Sequence, residues 1–344
     1  MLEAYVPGEQ PKNRKYIKLN TNESPYPPSP EVIASVTSSE MRDLRLYSDP
    51  ECSVLKRKLA ERYGVSDGNV FLSNGSDDIL NFAFMAFGGK GAAFPDITYG
   101  FYRVFAELHG VKTKIIPLSD DFSINYEDYL SLGKLIVIAN PNAPTGRILP
   151  VSEIENIVKS NPDNAVVIDE AYIDFGGESA LPLIRKYDNV LIVRTFSKSR
   201  SMAGARLGFA LAGKELISDL EKIKYSTNPY NINRLTQIAG AAAIDSDPYF
   251  IENCARISET RDKTASALIE LGFTVIPSQA NFVFASSDRI SGKELYLKLK
   301  DMGILIRHFE TDRIRKFNRI TIGSAEEMKI FIEAIQKILS EVKG

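Results

Sequence analysis

The chain of 344 residues is long enough for two domains, or for one large domain with a smaller one attached. Apolar residues make up 44% and charged residues 25% of it, a composition typical of a soluble globular protein with a hydrophobic core. The 42 basic and 44 acidic residues give a formal net charge of −2, which argues against a nucleic-acid-binding or membrane-surface protein.

Targeting, metal-binding and disulfide signals are weak. Residues 1–20 contain no apolar signal-peptide core, and no apolar run approaches the ~20 residues of a membrane span. The two histidines, His109 and His308, stand in no cluster with metal-ligand spacing. The two cysteines, Cys52 and Cys254, could form one cross-link, but free thiols in a reducing compartment are the preferred interpretation. We therefore expect a cytoplasmic protein with no metal site.

The first 30 residues are polar and rich in proline, which predicts an extended arm rather than a helix. Beyond the arm, a helical pattern ends at Gly64, and apolar runs then alternate with further helical patterns. The strand-like runs are NVFLS, GAAFP, KTKIIPL, KLIVIAN, AVVIDE and NVLIVRTF. Nearly continuous apolar strands that alternate with helices predict an α/β domain over residues 31–245, with a mostly parallel, doubly wound sheet.

The pattern changes after about residue 245. A long helical stretch over residues 247–271 precedes the strand-like runs FTVIPS, NFVFAS, GILIRHF and RITIGS. Two more helical patterns lie among and after these runs. This grouping predicts a smaller α+β domain over residues 246–344, in addition to the arm of residues 1–30.

Residues that directly follow the predicted strands are candidate ligands, because doubly wound sheets bind ligands at the carboxyl ends of their strands. Gly75, Ser76 and Asp77 follow NVFLS, and the free N–H groups of a helix start there would suit a phosphate. Taken alone, an ordinary helix cap is the commoner explanation of these residues. The stretch NPNAPTG, residues 140–146, is by itself a proline-fixed turn.

Two charged residues follow the next strands. Asp169 ends a buried apolar run, and Lys198 follows NVLIVR beside the hydroxyls of Thr195 and Ser197, with Arg206 eight residues later. A lysine desolvated among cations loses its proton more readily and attacks carbonyl groups. Each residue also has a simpler explanation: Lys198 as a solvated loop lysine or a phosphate clamp, and Asp169 as a cap or salt-bridge partner.

Together these residues suit one ligand, pyridoxal 5'-phosphate. Its phosphate requires a helix N-terminus, a hydroxyl and an arginine, and its aldehyde requires a lysine amine. Its ring nitrogen requires a carboxylate that keeps the ring protonated, so that the ring accepts electrons from a carbanion. Asp169, held at the end of a strand, is the predicted partner of that nitrogen.

The motifs NPNAPTG, VIDEAY, TFSKSRSMAGARLG and RITIG, in this order, closely resemble those of the fold-type I aminotransferases that use pyridoxal phosphate. The start LNTNESPYPP and the chain length resemble the histidinol-phosphate aminotransferase branch of that family. The resemblance implies a fold-type I α/β architecture and a homodimer. It also implies a reaction in histidine biosynthesis that converts L-histidinol phosphate and 2-oxoglutarate into imidazole acetol phosphate and L-glutamate.

The resemblance assigns three catalytic roles. Lys198 would bind the cofactor aldehyde and then move the α-proton, Asp169 would pair with the ring nitrogen, and Tyr172 would donate to the ring hydroxyl. Tyr99 would stack on the ring, with core packing as its alternative explanation. Tyr47 would reach the phosphate of the partner subunit's cofactor. The residues implied for phosphate binding are Gly75, Ser76, Asp77, Ser197 and Arg206.

Arg319 would bind the α-carboxylate of glutamate or 2-oxoglutarate, Arg307 the substrate phosphate, and Tyr26 would face the substrate from the arm. The sequence departs from the family at one position. The family usually has an asparagine directly before the PTG turn, where it bonds the cofactor's ring oxygen, and here that residue is Ala143. We expect the preceding Asn142 to take this role; the alternative is that Tyr172 carries it alone.

Several other functions remain open. A threonine-phosphate decarboxylase and a general aromatic or aspartate aminotransferase would keep the cofactor. A nucleotide-binding α/β protein would not, and GGKGAA, residues 88–93, lacks the spacing of a phosphate-binding P-loop and precedes a strand. A regulator without cofactor would have no need for the lysine, the aspartate and the arginine together.

Overall fold

The computed structural model of the chain describes residues 8–341. The parts of the predicted arm and small domain that fall on residues 1–7 and 342–344 lie outside this range. Among the described residues, no helix combines the length and the apolarity that a membrane span requires.

The described strands pair into two sheets. In chain order the strands are β1 (Ile17–Leu19), β2 (Val70–Ser73), β3 (Ala92–Pro95), β4 (Thr113–Ile116), β5 (Leu135–Ala139), β6 (Val166–Asp169), β7 (Val190–Thr195), β8 (Gly208–Ala212), β9 (Phe273–Ile276), β10 (Phe282–Ser287), β11 (Ile304–His308) and β12 (Phe317–Thr321).

Helices cover both sheets. In chain order they are α1 (Pro30–Ser35), α2 (Ser38–Arg42), α3 (Ser53–Tyr63), α4 (Ser76–Phe87), α5 (Phe101–Leu108), α6 (Val151–Ser160), α7 (Lys214–Thr227), α8 (Arg234–Asp245), α9 (Asp247–Glu270), α10 (Gly292–Asp301) and α11 (Ala325–Glu341). The predicted helix end at Gly64 is confirmed: this residue caps α3 in the left-handed conformation, with φ 62°.

The large sheet has the strand order β2-β8-β7-β6-β5-β3-β4. Strands β3 to β7 pair in parallel, which confirms the predicted mostly parallel sheet. The exception is β8, which pairs antiparallel with β2 and β7. The sequence analysis did not predict this strand, because its short run GFALA is rich in alanine and begins with glycine, both depleted in strands.

Both faces of the large sheet are buried, as predicted. Along β6, Val166 and Ile168 pack into the core on one face, and Val167 packs into the core on the other. Side chains alternate between the two faces of a strand, so Asp169 lies on the Val167 face and Glu170 continues the opposite one. This alternation separates the two acids that end the strand.

The small sheet has the order β1-β11-β12-β10-β9. Its edge strand β1 comes from the predicted arm and pairs in parallel with β11, Ile17 opposite Ile304. The arm is extended, as predicted, but it belongs to the small sheet over these residues. The division into an arm (1–30), a large domain (31–245) and a small domain (246–344) stays a prediction.

The carboxyl ends of the central strands meet at one edge of the large sheet. In the register of the sheet, Ala139 at the end of β5 lies beside Asp169 of β6, which lies beside Val193 of β7. The segments that follow these strands therefore converge, and the arm crosses to the same edge directly after β1. This edge contains the candidate site.

Candidate active site

Two adjoining cavities open at this edge. The inner cavity has a volume of about 360 Å³ and the outer cavity about 510 Å³. Both cavities are lined by Thr21, Tyr99, Ala143, Tyr172 and Lys198. The inner cavity is also lined by Ser76, Asp77, Asp169, Ser197 and Arg206, and the outer one by Arg103, Arg307 and Arg319. The structure thus brings together most of the site residues predicted from the sequence.

Asp169 is a buried carboxylate at the base of the inner cavity, with 5% of its surface exposed. The Tyr102 hydroxyl donates to its Oδ2 at 2.8 Å, and the Ala171 N–H donates to its Oδ1 at 3.2 Å. Burial raises the pKa of Asp169 to about 6. Within residues 8–341, Asp169 takes part in no ion pair. A cationic ligand group in the cavity would supply the missing charge.

Glu170, the next residue, has a structural contact instead. Arg194 donates to its Oε2 from Nε at 3.0 Å and from Nη2 at 2.8 Å, and the Ser179 hydroxyl and the Ala180 N–H donate to the same carboxylate. A buried carboxylate satisfied by a two-pronged arginine contact is fixed in place. Of the two acids that end β6, Asp169 alone faces the inner cavity.

Lys198 lies where the two cavities join. Its Nζ donates to the Thr21 carbonyl at 3.2 Å and lies 5.9 Å from the centre of the Tyr172 ring. Burial, followed by the positive charge of Arg319, lowers the pKa of Lys198 to about 8. A substantial fraction of this amine is neutral near physiological pH, and the neutral amine is the form that attacks carbonyls.

An anion site lies at the start of α4. Gly75 precedes the helix with φ 89°, and no side chain caps the first turn. This backbone conformation, φ 89° and ψ 166°, favours glycine, and a Cβ there would also displace the Arg206 guanidinium, whose Nη2 would lie 2.6 Å away. Arg206 contacts the Ser197 hydroxyl at 3.4 Å. Helix N–H groups, a hydroxyl and a guanidinium therefore converge at one point, as phosphate recognition requires.

Asp77 contributes to this site differently from the other predicted phosphate ligands. Its carboxylate accepts from Nη2 of Arg206 at 3.0 Å and from the Tyr99 hydroxyl at 2.8 Å. A carboxylate repels a phosphate, so Asp77 can serve an anion only through its backbone N–H. Its side chain holds the arginine and the tyrosine in position.

Arg307 and Arg319 lie directly opposite each other on β11 and β12. Opposed side chains of paired strands share one face, so both guanidinium groups belong to the wall of the outer cavity. Two guanidinium groups on one wall favour the binding of an anion. The outer cavity is therefore suited to an anionic ligand.

Asn142 does not occupy the position expected for it. Its Oδ1 accepts from the Thr98 hydroxyl at 2.9 Å, and its Nδ2 donates to the Ile97 carbonyl and the Thr145 hydroxyl, both at 3.0 Å. Its amide is thus satisfied by the segment of residues 97–98 and by Thr145 of its own turn, and Asn142 lines neither cavity. Ala143 lines both instead. The expected bond between Asn142 and a ligand stays a prediction.

Tyr26 and Tyr47 also lie outside both cavities. Tyr26 packs beneath Arg256, whose guanidinium carbon lies 4.2 Å from the ring centre, and its expected contact with the substrate stays a prediction. Tyr47 is 79% exposed and stacks on Tyr230 with 4.5 Å between ring centres. The predicted contact of Tyr47 with a partner subunit stays a prediction.

Three residues of the site were missed in the sequence analysis. Tyr102 binds Asp169, Asn22 donates to the Tyr172 hydroxyl at 2.9 Å, and Arg103 lines the outer cavity. The motif YGFYRVF contained a signal for two of them, because a helix that starts after β3 places its first turn at the carboxyl edge of the sheet. Asn22 gave no comparable signal.

Residues 14–335 match the protein family described as "Aminotransferase class I and II". The chain belongs to the class I and II aminotransferase family. Among similar aminotransferases, the histidinol-phosphate aminotransferase of Brachyspira hyodysenteriae is 53% identical over 341 residues, which cover 98% of this chain and 96% of that protein. The histidinol-phosphate aminotransferase of Clostridium botulinum (strain Langeland) is 47% identical over 343 residues, 99% of this chain and 97% of that one.

Solved structures agree with this family. Histidinol-phosphate aminotransferase from Sinorhizobium meliloti, in complex with pyridoxal-5'-phosphate, has a TM-score of 0.87 and 26% identity, covering 96% of this chain and 93% of that chain. L-threonine-O-3-phosphate decarboxylase from Porphyromonas gingivalis has a TM-score of 0.81 and 21% identity, covering 94% of this chain and 100% of that chain. At this identity the likeness concerns the fold alone. The predicted fold class, an α/β fold-type I transferase, is confirmed.

Asp169→Asn is expected to stabilise the ligand-free aminotransferase at neutral pH. The pKa of Asp169 is raised from 3.8 to about 6, so the folded state holds this proton more tightly than the unfolded state does. The resulting contribution to stability is present below about pH 4 and is lost as the pH rises through about 6, a change of about 3 kcal/mol. Asparagine does not titrate, so its contribution to stability does not change with pH.

The free energy of unfolding in urea, measured at several pH values, checks this expectation. The variant should exceed the wild type at about pH 7.5 and approach it near pH 4. Asp163→Asn, a surface control, should follow the wild type. Parallel pH curves for Asp169→Asn and the wild type would contradict the buried, unpaired carboxylate.

Proposed function

We propose that the chain is a pyridoxal-phosphate-dependent aminotransferase that converts L-histidinol phosphate and 2-oxoglutarate into imidazole acetol phosphate and L-glutamate. One observation carries the proposal. Lys198, an amine of lowered pKa, shares one cavity with Asp169, a buried carboxylate that forms no ion pair among the described residues. These groups occur in a chain that is 53% identical to a histidinol-phosphate aminotransferase.

The residues of the inner cavity suit the cofactor. Asp169 can hold a protonated ring nitrogen, and the start of α4, Ser197 and Arg206 can hold the phosphate. When bound, pyridoxal phosphate supplies an electron sink for the carbanion formed at the amine-bearing carbon of the substrate. Tyr99, which lines both cavities, can cover the ring, and Tyr172 can donate to its oxygen.

Residues of the chain transfer the proton and hold the reacting groups in position. Lys198, once its amine is free, takes the proton from the amine-bearing carbon and returns it, which its pKa of about 8 permits near neutral pH. Asp169 keeps its charge beside a cation in a site shielded from water, where an ion pair is strong. The Thr21 carbonyl gives the Lys198 amine a fixed position.

The outer cavity suits the two substrates of the proposed reaction. Histidinol phosphate has a phosphate and no carboxylate, whereas 2-oxoglutarate has two carboxylates. We assign Arg319, which donates to the Asn20 carbonyl at 3.0 Å, to the α-carboxylate of the keto acid, and Arg307 to the substrate phosphate. A threonine-phosphate decarboxylase would share the cofactor and the anion site but would need no keto acid.

We also propose a cytoplasmic homodimer whose active sites lie at the interface. A segment around residues 33–54 exposes apolar side chains that a monomer would normally bury or lack. These side chains are Ile33, Val36, Met41, Leu44, Leu46, Tyr47 and Val54. In such a dimer, Tyr47 would reach the phosphate of the partner's cofactor. The two free, buried cysteines suit a reducing compartment.

Lys198→Ala is expected to abolish turnover and the visible absorbance of the lysine-bound cofactor, because the variant lacks the amine that captures the aldehyde. In the wild type, the rate of cofactor capture by the ligand-free protein should rise with pH through about 8 as the amine loses its proton. Absorbance spectroscopy and a coupled glutamate assay measure both. Lys222→Ala, at an exposed lysine, should behave as the wild type. Turnover at the wild-type rate in Lys198→Ala would refute the assignment.

Arg307→Gln is expected to raise KM for histidinol phosphate about 10- to 100-fold, because charge-assisted hydrogen bonds to the phosphate are lost. KM for 2-oxoglutarate should change little. Steady-state kinetics with each substrate varied in turn measure the difference, and Arg315→Gln, at an exposed arginine, is the control. An effect confined to 2-oxoglutarate would reverse the roles of the two arginines. Turnover without any keto acid would favour the decarboxylase.

Tyr47→Phe is expected to weaken cofactor retention about 3- to 10-fold, because one hydrogen bond to the phosphate is lost across the interface. Equilibrium dialysis of pyridoxal phosphate measures this affinity, and sedimentation measures the oligomeric state. Tyr225→Phe, at another exposed tyrosine, is the control. A monomeric wild type with unchanged retention in Tyr47→Phe would contradict the shared site.

A further inference from the structure

Three successive residues of the arm contact three different side chains of the proposed site. Each contact is a hydrogen bond: Arg319 Nη2 to the Asn20 carbonyl at 3.0 Å, Lys198 Nζ to the Thr21 carbonyl at 3.2 Å, and Asn22 Nδ2 to the Tyr172 hydroxyl at 2.9 Å. The first two contacts use the backbone, which any residue provides. The third depends on the Asn22 side chain.

Asn22 is held in a single orientation. It is 1% exposed and has a left-handed backbone, φ 55°, which asparagine adopts more readily than most residues. Its backbone N–H donates to the Thr321 hydroxyl at 2.9 Å, and its carbonyl accepts from Asn281 Nδ2 at 3.1 Å. Its side-chain Oδ1 accepts from the same Thr321 hydroxyl at 2.9 Å.

This network sets the direction of the contact with Tyr172. The Thr321 hydroxyl already accepts from the Asn22 N–H, so its own hydrogen is directed at the amide oxygen. The amide nitrogen then faces Tyr172, whose oxygen must accept. Because that oxygen accepts, the phenolic hydrogen of Tyr172 is available for donation toward the cavity.

The described residues supply no substitute for this contact. Asn22 is the hydrogen-bond partner of the Tyr172 hydroxyl within residues 8–341. Ala143, directly before PTG, lines both cavities, and the amide of Asn142 is already bonded to Thr98 and Ile97. Tyr172 is therefore the polar side chain at this end of the ring site, and one amide directs it.

We propose that Asn22 is a positioning residue for Tyr172: by donating to the phenolic oxygen it directs the phenolic hydrogen at the ring oxygen of the bound cofactor. This inference rests on the proposed function. It also gives the arm a defined role, because Asn22 is anchored to Thr321 of the small sheet and to Asn281, and it orients a side chain of the large sheet's edge. The ring site is then complete only when the arm and the small sheet are in place.

Two substitutions at Asn22 separate this role from simple packing. In Asn22→Ala the Tyr172 oxygen loses its donor. In Asn22→Asp the backbone contacts and the contact with Thr321 can persist, but a carboxylate only accepts, so it draws the phenolic hydrogen away from the cavity. A positioning role predicts that Asp impairs turnover more than Ala, whereas a packing role predicts that Asp, the closer isostere, impairs it less.

The main measurement is the pH midpoint of the absorbance change of bound pyridoxal phosphate. A hydrogen bond donated to the ring oxygen favours the deprotonated form of the bound cofactor, so its loss raises the midpoint. We expect a rise of about half to one pH unit in Asn22→Ala and a larger rise in Asn22→Asp. We also expect kcat to fall about tenfold in the Ala variant, with KM for histidinol phosphate nearly unchanged.

The same substitutions in a Tyr172→Phe background provide the control, because phenylalanine has no hydroxyl to direct. In this background, Asn22→Ala should leave the pH midpoint unchanged. Asn22→Asp should raise it only by the effect of the added negative charge. A shift that persists undiminished in this background would overturn the proposal, as would the absence of any shift in both single variants. The wild-type spectrum and the loss of absorbance in Lys198→Ala test the proposed function separately.

Discussion

The buried carboxylate of Asp169 is the constraint on which the rest of the site depends. Its strand is buried on both faces, so the carboxylate is shielded from water. In the part of the chain that the structure describes, its neighbours provide two hydrogen-bond donors but no paired cation. A folded chain maintains such a group only at a cost in stability, which a cationic ligand offsets. Strands β2 and β7 both pair antiparallel with β8, so the start of α4 after β2 and Lys198 after β7 lie at the same edge, within reach of one small molecule.

Much of this site follows from the sequence because it is local in the chain. Asp169 ends one apolar strand and Lys198 follows another, and parallel pairing brings these strand ends together whatever the intervening loops do. Gly75 follows β2, which reaches the same edge because β2 and β7 both pair antiparallel with β8. The helix end at Gly64 and the two-sided burial of β6 could be predicted for the same reason. Each depends on a pattern of consecutive residues, a glycine after a helical pattern in one case and an unbroken apolar run in the other. Strand β8 was not predicted because its sequence, GFALA, is rich in glycine and alanine, which are depleted in strands.

The parts that could not be predicted are contacts between segments far apart in the chain. Asn142 has the residue type expected of a ligand, but the Thr98 hydroxyl and the Ile97 carbonyl, more than forty positions away, satisfy its amide. Asn22 reaches Tyr172 across 150 residues because β1 joins the small sheet, and no local pattern specifies that pairing. Residue type alone identified which side chains could act, and tertiary packing decided which of them face the cavity.

The charges of the outer cavity also control the amine of the inner one. Arg319 is the largest electrostatic contributor to the lowered pKa of Lys198, after burial itself. An anion bound to Arg319 would neutralise part of that charge, and the Lys198 amine would then hold a proton more tightly. The amine would consequently be most nucleophilic before the anion arrives and a stronger base once it is bound. A single arginine would thereby couple anion binding to the acid–base state of the lysine.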